Sequence, residues 1–386
     1  MSQQPVCIIG AGLAGLTLGR CLRQRGIPAI IFEKASFPAR STYGITIHRW
    51  ASDPLLTVLG VTDEATFRRS VAVNDQQTTE SLRAHRAKLE SYLRTGLEIR
   101  WDHTLTSVQV RSPDDIILQF QNGRRVESAL VIAADGIHSA VRKLLLQRSV
   151  EFDIFPYVVF NGQRRISRAL CAELLAPGLR DFNVFTLHSA TKSGDVRLEI
   201  SVIENHPSDD TVDLSYTYSR PARHGDQDPL YRPERPLSGA TEVPEAFYAE
   251  LDTLGEACLK QPFAELFDSS KVRKDRVLHW LMRTMLVRLS DLQKLARMGI
   301  GMIGDAAHGM PILGSEGANY AIQDGFELAE WIATNGGEYL EGFYMERTES
   351  LEERYERWMN ASEQSERNLV FMHDLKCHGK DLRCVL

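Results

Sequence analysis

Residues 5–34 read PVCIIGAGLAGLTLGRCLRQRGIPAIIFEK. Val6 to Ile9 is an unbroken apolar run, the pattern of a parallel strand buried on both faces. It leads directly into Gly10-x-Gly12-x-x-Gly15, so a tight turn and then a helix should follow. The first glycine permits the turn, the second lets backbone approach a pyrophosphate, and the third lets the helix lie close to the strand. Phosphate oxygens would then meet the first N–H groups of the helix, whose positive end favours anions by roughly 0.3–1 kcal/mol each. Leu13 and Ala14 open that helix, and Gly26-Ile27-Pro28 stops it. Ala29 to Phe32 is a second buried strand. Glu33, with Lys34 beside it, falls about 20 residues past the glycines, where an acid accepts from ribose hydroxyls. An acid there disfavours a 2′-phosphate, so the loop predicts NAD or FAD rather than NADP.

The 386-residue chain is 43% hydrophobic and 25% charged, which suits one large or two interlocked globular domains. Its formal charge of −6, without a dominant cluster of Lys and Arg, argues against nucleic acid and for a small-molecule partner. The six cysteines, Cys7, Cys21, Cys171, Cys258, Cys377 and Cys384, are scattered without a CxxC pair, as in a reducing compartment. No window holds about 18 uninterrupted apolar residues, and no basic-then-apolar leader opens the chain. A cytoplasmic protein without a membrane span is expected.

Two later segments repeat the strand-to-glycine pattern. Ser128 to Ala134 reads as a buried strand running into Asp135-Gly136, with Ser139 as a helix cap and Arg142, Lys143 and Arg148 on an exposed helix face. Gly299 to Ile303 leads into Gly304-Asp305-Ala306-Ala307-His308. Pro311, Gly314, Gly317, Ala318 and Asn319 follow, and then an amphipathic helix from Tyr320 to Trp331. With GxGxxG, DG and GD motifs in that order over most of its length, the chain resembles the group A flavoprotein monooxygenases, the para-hydroxybenzoate hydroxylase-like family.

The resemblance implies that the opening loop holds FAD non-covalently. It implies that Asp305 bonds a ribityl hydroxyl, and that Gly314 to Asn319 offer backbone donors near the flavin ring at a helix N-terminus. Asp135, Gly136 and Arg142 would belong to the cofactor site, and Gly44 would lie where the chain passes the flavin. Arg86, in Ala84-His85-Arg86-Ala87-Lys88-Leu89, matches the family's Arg-x-x-Leu helix whose arginine reaches FAD; Arg83 is its near neighbour. Glu316 stands where the family often has Gln. No metal is expected at His308, because no second His or carboxylate falls at ligand spacing.

Residues 151–284 read as antiparallel strands. Apolar residues alternate with polar ones from Val196 to Val202 and from Val212 to Tyr218. Ser219 to Pro236 reads as a loop and Pro244 to Leu266 as helical. The expected architecture is therefore α/β: a Rossmann-type FAD-binding domain (1–150 plus 285–338), an inserted, mainly antiparallel-sheet substrate domain (151–284), and a helical tail (339–386). Arg197 and Tyr216 are the candidate catalytic residues, with His188 and Tyr218 as further strand residues able to face a cavity. Each tyrosine equally suits a core position. The resemblance further implies NADPH or NADH as reductant and O2 as co-substrate. A flavin C4a-hydroperoxide would hydroxylate or epoxidise an aromatic or polycyclic small molecule. Alternatives are a flavin halogenase or reductase, although the halogenase WxWxIP segment is absent, and a non-catalytic flavin-binding regulatory module.

Overall fold

The computed structural model describes residues 4–37, 43–73, 81–113, 115–146, 152–179, 184–191, 194–206, 208–223, 228–256, 259–311 and 316–346. At its centre β1 (Val6–Ile9) pairs in parallel with β2 (Ala29–Phe32) on one side and β9 (Val131–Ala133) on the other. β5 (Glu98–Arg100) and β17 (Ile300–Met302) complete a five-stranded parallel sheet in the order β17-β9-β1-β2-β5. Every residue of β1 is buried, which is why the segment carries no polar alternation. The order reverses direction at β1, and an open parallel sheet leaves its ligand crevice at the strand ends of such a switch point.

Two helices pack together beside this sheet, α1 (Leu13–Gln24) and α11 (Gly317–Asn335). A side chain at Gly325 would lie 2.9 Å from the Ala14 carbonyl oxygen and the Leu18 nitrogen, so the glycine lets the two backbones touch. The Tyr344 hydroxyl closes the far edge, accepting from Met302 N at 2.6 Å and donating to Met302 O at 2.9 Å. Of the expected tail, Tyr339 ends a 3-10 turn and residues 340–346 are helical; residues 347–386 lie outside the described residues.

The second strand motif is shorter than its apolar run. Ser128 ends β8 (Arg125–Ser128), which joins β6 (Leu105–Ser112) and β7 (Asp115–Phe120) in a separate antiparallel sheet. The Ser128 hydroxyl bonds both N and O of Leu130 and turns the chain between the two sheets. β3 (Gly44–His48) and β4 (Ser81–His85) form an antiparallel pair linked through α2 (Arg49–Leu59) and α3 (Glu64–Val71). α4 (Arg86–Arg94) follows β4 directly. Two-residue strands β10 (Asp153–Ile154) and β18 (His308–Gly309) flank β16 (Arg283–Leu286), and α10 (Leu289–Ala296) precedes β17.

The second large layer is an antiparallel sheet in the order β12-β13-β14-β11-β15, made of β11 (Tyr157–Ser167), β12 (Val184–Thr191), β13 (Gly194–His206), β14 (Thr211–Pro221) and β15 (Arg276–Trp280). Ser219 to Pro221, expected in a loop, therefore continue β14, where they still pair with Tyr157 to Val159. α6 (Arg168–Leu179) follows β11. The stretch expected to be helical, Pro244 to Leu266, holds α7 (Glu245–Glu256) and α8 (Phe263–Leu266), and α9 (Ser269–Val272) follows it.

The alternating strands give this sheet two unlike faces. Leu198, Ile200, Leu214, Tyr216, Tyr218 and Phe160 are buried in one core with Phe247 and Leu251 of α7. The opposite face presents Arg197, Glu199, Ser215, Thr217, Asn161 and Gln163, which are cross-strand neighbours in the register. It turns toward the β3–β4 pair: the His85 ring lies 3.4 Å from Glu204, past a bulge that shifts the register between Val202 and Glu204. Among the described residues no helix is long and apolar enough to cross a membrane.

Candidate active site

The three glycine motifs converge at the carboxyl ends of β1, β9 and β17. Gly10 has φ +107°, a left-handed value that other residues resist, and a side chain there would strike the Ala134 carbonyl at 2.4 Å. A side chain at Gly15 would meet the Gly10 carbonyl at 2.1 Å, so α1 is seated against the turn. Gly12 differs, because a side chain there would meet nothing within 4 Å. The open side of Gly12 adjoins the N-terminus of α1, where Leu13 and Ala14 form the first turn and no side chain caps the N–H groups. Such a cradle fits a pyrophosphate.

Glu33 holds this turn from the end of β2. Its carboxylate accepts from Ala11 N at 2.8 Å and Ala35 N at 2.9 Å. Lys34 is exposed beside it. Arg86 begins α4, with its Nε on Glu90 at 2.7 Å and a further hydrogen bond to the Tyr43 hydroxyl.

Arg142 sits differently from its exposed-face reading, and Asp135 holds the helix that follows the DG turn. One Asp135 oxygen accepts from Ala140 N (2.6 Å) and Val141 N (3.3 Å), clamping the start of α5 (Ala140–Leu145), while Oδ1 is buried without a partner. Burial raises its carboxyl pKa. Gly136 turns the chain at φ +76°, and Ser139 caps α5 through Arg142 N as expected. Arg142, expected on an exposed face, is 4% exposed. Its guanidinium donates to the Ala306 carbonyl at 2.8 Å and to the Ile137 carbonyl, tying the DG turn to the GD turn. Arg148 lies outside the described residues. His138 has its pKa lowered by partial burial, with Lys143, Arg283, Lys34 and Arg142 adding to the effect.

The GD turn carries Asp305 next to the start of α11. Its Oδ1 is 3.9 Å from where a Gly317 side chain would begin, and burial pushes its carboxyl pKa up. Gly304 turns at φ +57°, and its N–H donates to Asp324 Oδ2 at 2.6 Å. The same oxygen lies 2.6 Å from His308 Nε2. Asp324 and His308 are both buried, so the pair fixes the turn from behind. Asp324 was invisible to motif reading; the signal available was one acid among Ala321, Ile322 and Leu328 on an apolar helix face. Among the described residues no cluster of His, Cys, Asp and Glu could hold a metal ion.

Pro311 is buried at the end of the GD segment, and Gly314 lies outside the described residues. The Glu316 side chain does not cap the N-terminus of α11. Ala318 is half-buried there. Fully buried Asn319 acts through its side chain, accepting from His48 N at 2.8 Å and donating to the Thr46 carbonyl at 3.0 Å. It stitches α11 to β3. Glu316 lies 3.3 Å from His48 Nε2 and, as its hydrogen-bond acceptor, raises the His48 pKa.

The two candidate catalytic residues fall on opposite faces of the antiparallel sheet. Arg197 is on the polar face, 3.0 Å from Glu199. Tyr216 is buried beneath the helices, its hydroxyl donating to Asp275 at 2.7 Å and its ring edge-on to Phe267. Tyr218 shares that core and bonds Glu250. His188 is exposed on β12.

The open cradle at Gly12, two helix N-termini not capped by their own N-cap residues and the unpartnered Asp135 oxygen fit an FAD laid across the crevice. A sequence model of the family described as FAD binding domain matches residues 3–90 and 270–342. The chain is 32% identical to FAD-dependent monooxygenase nscC of Arthroderma benhamiae, over 86% of this chain and 85% of that one. It is 33% identical to FAD-dependent monooxygenase adaC of Aspergillus niger, over 86% of each. A putative FAD-containing monooxygenase from Photorhabdus luminescens has the same fold, with a TM-score of 0.69, 22% identity and coverage of 96% and 99%. Cradle, motif order and relatives agree: the chain belongs to the FAD-dependent monooxygenases of the para-hydroxybenzoate hydroxylase-like family.

Proposed function

We propose that the chain uses NADPH or NADH together with O2 to hydroxylate or epoxidise an aromatic or polycyclic small molecule. The observation that carries this reading is the polar face of the antiparallel sheet standing opposite the β3–β4 pair, beside the crevice that suits FAD. Residues 1–150 and 285–338 then form the cofactor unit, and residues 151–284 the substrate unit.

Bound FAD would supply the redox chemistry: reduction by the nicotinamide and activation of O2. The chain's own residues bind, orient and exclude water. Gly10, Gly12, Leu13, Ala14 and Gly15 would hold the pyrophosphate, with Glu33 fixing the loop and available to accept from the adenosine ribose. Asp305 accepts from the ribityl chain. The N–H groups at the start of α11, from Gly317 through Asn319, would favour negative charge on a ring held beside them. On the other side, Asn161 donates to Ser215 at 2.9 Å and Thr217 at 3.0 Å, giving a fixed hydrogen-bonding surface beside Arg197. Such a preset surface orients a flat substrate without reorganising. Tyr216 serves the fold beneath it.

The test is a screen of electron-rich aromatics for accelerated NADPH or NADH oxidation by the purified yellow protein, with product mass read under 18O2. One heavy oxygen in the product supports the reading. Acceleration that yields only H2O2 across the panel counts against it.

A further inference from the structure

Among the described residues Arg142, Arg164 and Arg220 are met by acceptors, whereas Arg20, Arg83, Arg168, Arg197, Arg232 and Arg235 each keep one buried guanidinium nitrogen without a hydrogen-bond partner. Arg220 is bonded by Asp228 (2.5 Å) and Glu250 (2.8 Å), Arg164 by Asp275 (2.6 Å), and Arg142 by two carbonyls. Arg83, on β4, has a hydrogen bond from Nη1 to the Thr46 hydroxyl at 3.0 Å. Its Nε is buried without a hydrogen-bond partner among the described residues. The carboxylate acting on it is Glu199, which Arg197 already holds at 3.0 Å. Arg83 thus shares the carboxylate that acts on it, and a desolvated guanidinium whose charge is incompletely met gains from a further acceptor.

The place of Arg83 says where that acceptor comes from. Thr46 and Arg83 are cross-strand partners, so both point from the β3–β4 pair toward the polar face of the antiparallel sheet. A side chain on Gly44 would lie 2.9 Å from Arg83 Nε and 3.1 Å from its central guanidinium carbon. Gly44 thus keeps room for the guanidinium, a local reason for a glycine whose backbone is ordinary strand.

We propose that Arg83 is a specificity-determining residue of the substrate cavity and that the substrate presents an anionic oxygen, a carboxylate or an ionised enol, to its guanidinium. The inference rests on the reading that substrate lies between the two layers. A guanidinium edge offers paired N–H donors to an oxyanion, and charge-assisted bonds of this kind exceed neutral ones in strength.

The test uses the FAD-reconstituted chain and calorimetric titration with three probes: 1-hydroxy-2-naphthoate, its neutral amide, and 2-acetylcyclohexane-1,3-dione, an acid through its enol. At least one acid should bind about ten- to a hundredfold tighter than the amide, and which acid does so separates carboxylate from enolate. Arg83→Met should erase that preference while FAD content and amide affinity stay unchanged; Arg83→Lys should keep part of it. Gly44→Ala, which crowds Nε without removing the charge, should weaken acid binding in the same direction. Equal affinity for acids and amide, no binding of either acid, or a preference that survives Arg83→Met overturns the proposal. Loss of FAD from Arg83→Met also overturns it, by assigning Arg83 to the cofactor. A wild-type chain that takes up no FAD instead fails the functional reading, before any probe is added.

Discussion

Replacing Gly12 with valine separates cofactor binding from folding. The residue has φ −80° and ψ −176°, an extended conformation open to any residue, and a new side chain meets no protein atom within 4 Å. The folded chain therefore absorbs the substitution without a clash. The remaining cost is a poorer helix N-cap, about 0.5–1.5 kcal/mol. The valine methyls instead occupy the space over the α1 N-terminus where a pyrophosphate would accept N–H groups. Two lost hydrogen bonds to a charged oxygen, at about 1.5–3 kcal/mol each, amount to roughly 3–6 kcal/mol, or a 10²- to 10⁴-fold weaker FAD complex. The assay pairs the FAD-to-protein ratio after gel filtration with thermal unfolding of the apoprotein. Gly12→Val should emerge colourless with an apoprotein melting point within about 4 °C of wild type. Stoichiometric FAD in the variant refutes the cradle, and a melting point that collapses with the colour refutes the separation of fold from site.

Asp305→Asn should reduce FAD retention yet stabilise the apoprotein at neutral pH. Burial raises the Asp305 carboxyl pKa above its ordinary 3.8, so its ionisation costs stability as pH rises, and the gain over wild type should shrink toward acid pH in chemical denaturation. His279 is fully buried, stacked 4.8 Å from Phe160, and burial lowers its pKa from 6.5 to about 4, with Arg235 and Arg232 adding. The unfolded chain takes up that proton first, so stability should fall between pH 6.5 and about 4, by up to about 3 kcal/mol from this group, and His279→Phe should flatten that window in urea titrations. Asp324→Ala leaves Gly304 N–H and His308 without their shared acceptor. About 3–5 kcal/mol of stability should be lost, and FAD released, by calorimetry and absorbance respectively.

Much of this was readable from local chemistry. β1 and β2 begin and end where the apolar runs do, because glycines and Pro28 bound them, and the alternation in β13 and β14 correctly divides those strands into two faces. Alternation does not say which face is covered. α7, contributed about 30 residues later in sequence, settles that by burying Tyr216 and Tyr218, while Arg197 is left on the polar side. The exposed-face reading of Arg142 failed for a similar reason: its acceptor is the carbonyl of Ala306, 164 residues away. Asp324 and the stitching role of Asn319 are equally non-local, set by strands that meet the helix only after folding. Arg83 was legible only as a neighbour of Arg86, since its sharing of Glu199 with Arg197 is a property of the assembled junction.

The most direct measurement is anaerobic titration of the purified, FAD-reconstituted chain with NADPH and with NADH, followed by admission of O2. One FAD per chain is expected, with a visible flavin band bleached by at least one nicotinamide and recovered with O2. A chain that binds no FAD, or whose bound FAD neither nicotinamide reduces, would contradict this expectation.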